Sequence, residues 1–352
     1  MRKIVLLFLS FFIFSPAILT QTIIENPEKP LSKNAGRVLK LEEIFRINDI
    51  GADFYFKRPM KLKIASDGSI FIVDEEQLLK FSADGKFIKN LYKKGEGPGE
   101  IARNFYFSLY KNDIYIYDRS ARKIIHTDRD GNLIEEFHSK SERYRDFLGI
   151  THDGLIFKKY SFALKERKSK LYDIEHTLVL VSKDGETEKE IQVFPVKTFL
   201  APQAIATWAH FYSTLSDDRR YLFVSHTMEY LIKLLDLEKG EVTRIFNRKY
   251  RRIKYVKEWM KEFLKKHNGP GKKYENDILS LFICKDHLWI KTSTKDKNKG
   301  ILIDVFNKEG KFIDSFYINL KGSLVATHED FIFVKEQDED GNISFVKYRI
   351  AE

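Results

Sequence analysis

Two aspartates close matching apolar phrases: Asp74 follows Ile70-Phe71-Ile72-Val73, and Asp118 follows Ile114-Tyr115-Ile116-Tyr117. Carboxylates at equivalent places are what a calcium ion would gather, because it needs several oxygens at once. The series does not continue, since Phe157-Lys158-Lys159 and Val224-Ser225-His226 hold the later equivalent places. Asp74 and Asp118 are therefore weak metal candidates, and capping of the turn that follows each is their plainer role. Nine histidines, at 126, 138, 152, 176, 210, 226, 267, 287 and 328, show neither a His-x-x-x-His pair nor cysteine partners at zinc spacing. The single cysteine, in Leu281-Phe282-Ile283-Cys284, reads as a buried small hydrophobe. No Gly-x-Ser-x-Gly elbow is present. The loop Gly95-Glu96-Gly97-Pro98-Gly99-Glu100 lacks the Gly-Lys-Ser/Thr ending of a phosphate loop and precedes a strand-like run. No catalytic residue is expected from these patterns.

Charge is more informative by its place than by its size. The formal net charge is +10, of which Arg2 and Lys3 supply +2. Residues 248–277 hold eleven Lys/Arg against four Asp/Glu, or +7. Within that segment Val256, Trp259, Met260, Phe263 and Leu264 recur at helical spacing among lysines and glutamates, and Asn268-Gly269-Pro270-Gly271 ends the pattern. The segment reads as a basic helical insert in an otherwise strand-rich chain.

Met1-Arg2-Lys3, the apolar run from Ile4 to Phe14 and the exit Ser15-Pro16-Ala17 read as a signal peptide over residues 1–17. A leader spans 18–36, and one domain follows from 37 to 352. The expected location is periplasmic or extracellular, which argues against nucleic acid as a partner. A lone cysteine gives an exported chain no internal disulfide, so its stability must come from its core.

The elements that must position these residues are repeated strands. Asp67-Gly68 and Asp84-Gly85 separate apolar runs, giving two hairpins and four strands between residues 59 and 91. Turns of the Asp84-Gly85 kind return as Asp130-Gly131, Asp184-Gly185, Lys239-Gly240 and Glu309-Gly310, at spacings of 46, 54, 55 and 70 residues. That period suits a β-propeller of four-stranded antiparallel blades. Five full units precede an incomplete one from Ser323 to Ile350. The lone strand Arg37 to Ile47 would supply its missing member and close a ring of six blades.

These blade phrases, the Asp-Gly turns and Gly95-Glu96-Gly97-Pro98-Gly99-Glu100 resemble the bacterial six-bladed propellers of the NHL-like and TolB-like group, which includes uncharacterised exported proteins. The resemblance covers roughly residues 37–350 and implies fold rather than chemistry. Related enzymes hold calcium or metal-bound histidines in the central tunnel, so a tunnel-site hydrolase or lyase, with or without calcium, is the alternative, while the leading reading takes no cofactor. The leading expectation is a non-enzymatic binding or scaffold propeller recognising an envelope protein or an anionic glycan or lipid surface. Its inter-blade loop face would contribute Glu96, Glu100 and Arg103 from the first crossover. Arg251, Arg252, Lys254, Trp259, Lys265 and Lys266 would join them from the insert, as arginines and an aromatic suit anionic partners.

Overall fold

A computed structural model describes residues 21–48, 54–139, 144–160 and 168–351. The expected signal segment lies outside them. Three strands come from the start of the chain: β1 (Thr22–Asn26), β2 (Arg37–Val38) and β3 (Lys40–Asn48). The first blade is β4 (Pro59–Ile64), β5 (Ile70–Asp74), β6 (Gln77–Phe81) and β7 (Phe87–Asn90). The second is β8 (Phe105–Tyr110), β9 (Asp113–Asp118), β10 (Lys123–Asp128) and β11 (Leu133–His138). The third holds β12 (Tyr144–Ile150), β13 (Leu155–Tyr160), β14 (Lys170–Val181), β15 (Glu188–Ala201) and β16 (Ala204–Thr207). The fourth is β17 (Tyr212–Leu215), β18 (Tyr221–Ser225), β19 (Leu231–Asp236) and β20 (Glu241–Arg248), after which comes helix α1 (Glu258–Lys266). The fifth is β21 (Ile278–Cys284), β22 (His287–Asp296), β23 (Gly300–Phe306) and β24 (Phe312–Ile318), and the sixth is β25 (Ser323–His328), β26 (Phe331–Gln337) and β27 (Ile343–Ala351).

The first strand of each blade faces the axis, and neighbouring first strands touch in the order β4, β8, β12, β17, β21, β25 and back to β4. Six apolar clusters fill the spaces between consecutive blades. Phe71 meets Phe107, Tyr117 meets Phe157, Phe194 sits with Leu222, Phe246 meets Phe306, Ile303 sits with Ile332, and Phe345 with Phe81. Second strands are buried on both faces, which is why Ile70-Phe71-Ile72-Val73 is continuously apolar rather than alternating. Each such side chain contributes roughly 1.5–3 kcal/mol when removed from water.

The third-to-fourth strand turns also pack between blades. Gly85 and Gly185 have φ of +83° and +75°, and a β-carbon on either would lie 2.6 or 2.5 Å from the ring of Phe45 or Phe137 in the preceding blade. Glycine is required there by both conformation and contact.

The N-terminal segment departs from the expected boundaries. The stretch Arg37 to Ile47 is not one strand: β2 pairs with β24, and β3 pairs antiparallel with β27. The expected leader also enters the sheets, since β1 runs parallel to β20 as a fifth strand. Asn26 fixes it there. Its amide donates to the carbonyls of Asn247 (2.8 Å) and Gly310 (2.9 Å), and its Oδ1 accepts from Phe312 N (2.9 Å). These additions, with β16, give the third, fourth and fifth sheets five strands rather than the expected four. The physical reason is edge protection: unpaired outer-strand N–H and C=O groups are covered by whatever chain lies nearby.

Candidate functional site

Asp74 and Asp118 end the second strands of blades one and two and are fully buried. Asp74 accepts from Lys57 N (2.7 Å), Arg58 N (2.5 Å) and Gln77 Nε2 (3.2 Å). Asp118 accepts from Ala102 N (2.5 Å), Ser120 N (2.9 Å) and Ala121 N (3.0 Å). Each carboxylate thus ties the incoming crossover to the turn beyond its strand, its lone pairs occupied by backbone donors and, at Asp74, also by the Gln77 side-chain amide. Among the described residues no group of three His, Cys, Asp or Glu is arranged to hold a metal ion.

The Gly95 to Glu100 loop is braced from within. Glu100 Oε2 accepts from Gly97 N (2.9 Å), while Lys123 donates to the Gly97 carbonyl (2.8 Å) and Glu136 accepts from Gly99 N (2.7 Å). Glu96 and Arg103 are exposed. This loop enters β8, whereas the insert enters β21, three places further round the ring. The two sets of candidate residues therefore lie across the axis from each other and are not brought together.

Within the insert, α1 docks on the tall β15–β16 corner of blade three. Leu264 is buried, with Met260 and Phe263 partly so, against Phe199, Ala204, Ala206 and Trp208. Trp259 is left 61% exposed and Val256 70% exposed, so only three of the five apolar residues of the stripe are used for docking. Lys254, Arg251, Lys265 and Lys266 are exposed. Arg252 is committed elsewhere: its Nε donates to Asp277 (3.1 Å) and its Nη2 to the Met228 carbonyl (3.2 Å).

Between α1 and the blades lies a cavity of about 470 Å³. The inner strands and the segment before them contribute His210, Tyr212 and Leu279, and the insert contributes Lys257, Trp259 and Lys272. Lys272 donates to the Trp208 carbonyl (2.9 Å) and Asn276 Oδ1 (3.1 Å). Burial pushes its ammonium down to about 8, against the pull of Glu275. Burial also lowers His210, with Lys272 and Lys257 adding to the effect. An aromatic, partly cationic pocket of this kind suits a ligand that combines an anionic group with an apolar part.

A second cluster lies on the axis and was not singled out from the sequence. Lys61 and Lys63 project from the same face of β4, with the Lys61 ammonium 4.1 Å from the Tyr106 ring centroid and that of Lys63 5.8 Å from Phe107. Blade three contributes the pair Lys158–Asp146 (2.5 Å), with Tyr106 donating to Asp146 (3.2 Å). Burial lowers Lys61 to about 8, opposed by Asp146 and assisted by Lys158. Lys63 falls to about 7 through burial, Arg219 and Lys61. Above this group His176 stacks between Tyr160 (4.9 Å) and Phe211 (5.7 Å), and burial, with Lys158, lowers it to about 4. His226 donates through Nδ1 to the Pro195 carbonyl (3.0 Å), which fixes its neutral tautomer because a carbonyl only accepts. The available signal was Lys158, a charge on a second strand where blades one and two carry Val73 and Tyr117.

With this geometry in hand, the comparisons agree on the fold. Residues 40–267 match the family model described as a 6-bladed beta-propeller, DUF5128, and the chain belongs to that family. It is similar in structure to an assigned exported protein of Bacteroides fragilis NCTC 9343, with 15% identity, TM-score 0.55, and coverage of 94% of this chain and 100% of that one. It is also similar to a duf4221 family member from Bacteroides vulgatus ATCC 8482, with 11% identity, TM-score 0.56, and coverage of 90% and 99%. A gluconolactonase from Xanthomonas campestris, at 14% identity and TM-score 0.46 with coverage of 91% and 97%, carries no argument about activity. No curated protein matches the chain. No helix of the described residues is long and apolar enough to cross a membrane.

Proposed function

We propose that this chain is an exported, non-enzymatic binding propeller of the NHL-like or TolB-like kind, its ring closed by the β3–β27 pairing. Its ligand is a protein or anionic envelope component taken at the cavity beneath α1. The observation that supports this most is the cavity itself: Trp259 stands exposed at its rim, and Lys257 and Lys272 line it. An exposed tryptophan beside lysines is costly to keep in water and productive in an interface. Glu96, Glu100 and Arg103, across the ring, are left outside this contact.

The test is a pull-down from envelope extracts with the wild-type protein and a Trp259→Ala/Lys257→Glu variant. A partner or glycolipid retained by the first and lost by the second supports the reading. Identical profiles from two folded proteins would overturn it. The rival tunnel hydrolase is separated by metal analysis of chelator-washed protein, where stoichiometric calcium would favour the enzyme.

A further inference from the structure

The axial lysines pose a question that the insert does not answer. Lys61 and Lys63 sit at alternate positions of β4, so their side chains leave the strand on one face about 7 Å apart along the channel. Lys61 is ringed by inner-strand residues yet remains exposed, and Lys63 remains partly so, which places both in space that solvent reaches. Among the described residues neither has a hydrogen-bonded or ion-paired partner; aromatic rings are their nearest company. The carboxylate nearest Lys61, Asp146, is already held by Lys158 and Tyr106.

Arg219 adds a third cation from the turn after β17. It crosses from blade four to donate to the Leu109 carbonyl of blade two (3.2 Å). Gly149 of blade three makes room: a β-carbon there would lie 2.5 Å from Leu215 Cδ1 and 3.8 Å from Arg219 Nη1. The same point is 3.5 Å from Ser108 Oγ, which is fully buried and has no hydrogen-bond partner among the described residues. Asp217 offsets part of the Arg219 charge, but Lys61 and Lys63, without ion-paired partners among the described residues, and the unsatisfied Ser108 hydroxyl are costly unless an anion completes them.

We infer that the axial channel is a binding site for a linear organic dianion, a dicarboxylate that spans Lys61 and Lys63 with one end directed toward Arg219 and Ser108. Two point charges separated along a strand select for the distance between two carboxylates, which a compact anion does not supply. The site is separate from the cavity beneath α1 and stands whether or not that cavity binds.

The experiment is titration calorimetry of the full-length mature protein with succinate, glutarate, adipate, pimelate and inorganic phosphate near pH 6.5. Wild type, Lys61→Gln, Lys63→Gln and Trp259→Ala are compared, each shown to be folded by its thermal transition. The expected result is binding that is strongest for the longer dicarboxylates, weakened roughly tenfold or more by either lysine substitution and unchanged by Trp259→Ala. Absence of binding by every dicarboxylate, phosphate binding as tight as the best dicarboxylate, or lysine variants that bind like wild type would each overturn the inference. Should a lysine variant fail to fold, Lys61→Arg and Ser108→Ala replace it, and unchanged selectivity in both would again count against the site.

Discussion

The ammonium of Lys158 lies 2.5 Å from the carboxylate of Asp146, inside a channel where Lys61 and Lys63 have no such partner among the described residues. That single carboxylate separates a neutralised wall on blade three from a positive one on blade one. Asp146 is held below its usual value: burial opposes this, but the attraction and hydrogen bond of Lys158, with Lys61 and Tyr106, prevail. Its contribution is therefore present above the ordinary carboxylate range and is lost as pH falls through the lower, folded-state value. Asp146→Asn should cost about 1–3 kcal/mol at neutral pH, less than a fully buried pair because solvent reaches the carboxylate. Urea unfolding at pH 7 and pH 3 checks this, and the difference from wild type should shrink at the lower pH.

Lys63 gives the opposite sign. Its ammonium is lowered from 10.5 to about 7, so the folded state resists protonation that the unfolded chain accepts. Stability from this group rises as pH climbs from about 7 towards 10, and the full penalty is felt below 7. Lys63→Met should therefore stabilise the protein, by roughly 1–2 kcal/mol near pH 6.5 once channel solvation is allowed for. The gain should fade near pH 10. The titratable and charged neighbours of Lys63 are Lys61, Tyr106, Asp146, Lys158, His176, Asp217 and Arg219, and Lys61, lowered to about 8, titrates in the same window. Chemical unfolding of both proteins at pH 6.5 and pH 9.5 measures the effect.

On α1, two large apolar residues should behave differently. Leu264 is 2% exposed and packs on Phe199 and Trp208, whereas Trp259 is 61% exposed. Leu264→Ala should cost about 2–4 kcal/mol of docking and raise amide hydrogen exchange across residues 255–272. Trp259→Ala should leave both exchange and global stability within about 0.5 kcal/mol of wild type.

Asn26 is small but makes three hydrogen bonds that link the leader to blades four and five. Asn26→Ala leaves the Phe312 N–H without its partner and should cost about 2–3 kcal/mol. Asn26→Asp should be as damaging, because a carboxylate cannot donate to the carbonyls of Asn247 and Gly310. Midpoints of urea unfolding distinguish these from wild type.

The blades were legible because strand pattern and Asp-Gly turns are local signals: Ile70 to Asp74 and Gly85 state their own conformation. The helix was legible for the same reason, since the apolar residues from Val256 to Leu264 recur at helical spacing. Which part of that stripe docks was not, because the decision belongs to Phe199 and Ala204 of another blade. The channel was hidden for a related reason. Lys61 and Lys63 alternate with Leu62 and Ile64 as the solvent side of an ordinary half-buried strand would, and only the ring turns that side inward. Likewise β1 and β2 are too short and too polar to announce pairing, since parallel edge addition depends on what outer strand happens to be open.

The clamp at Asn26 also has a kinetic meaning. Its partner Phe312 is 286 residues further along, and β3 must wait for β27 at the other end of the chain. A chain that crosses a membrane from its amino terminus would thus deliver its first strands long before their partners exist. β1 is an unpaired segment until blade four arrives, and β3 until the last blade does, and closing so long a loop makes the final step slow. The interval between emergence and closure is therefore when this protein most needs protection from pairing with another copy of itself.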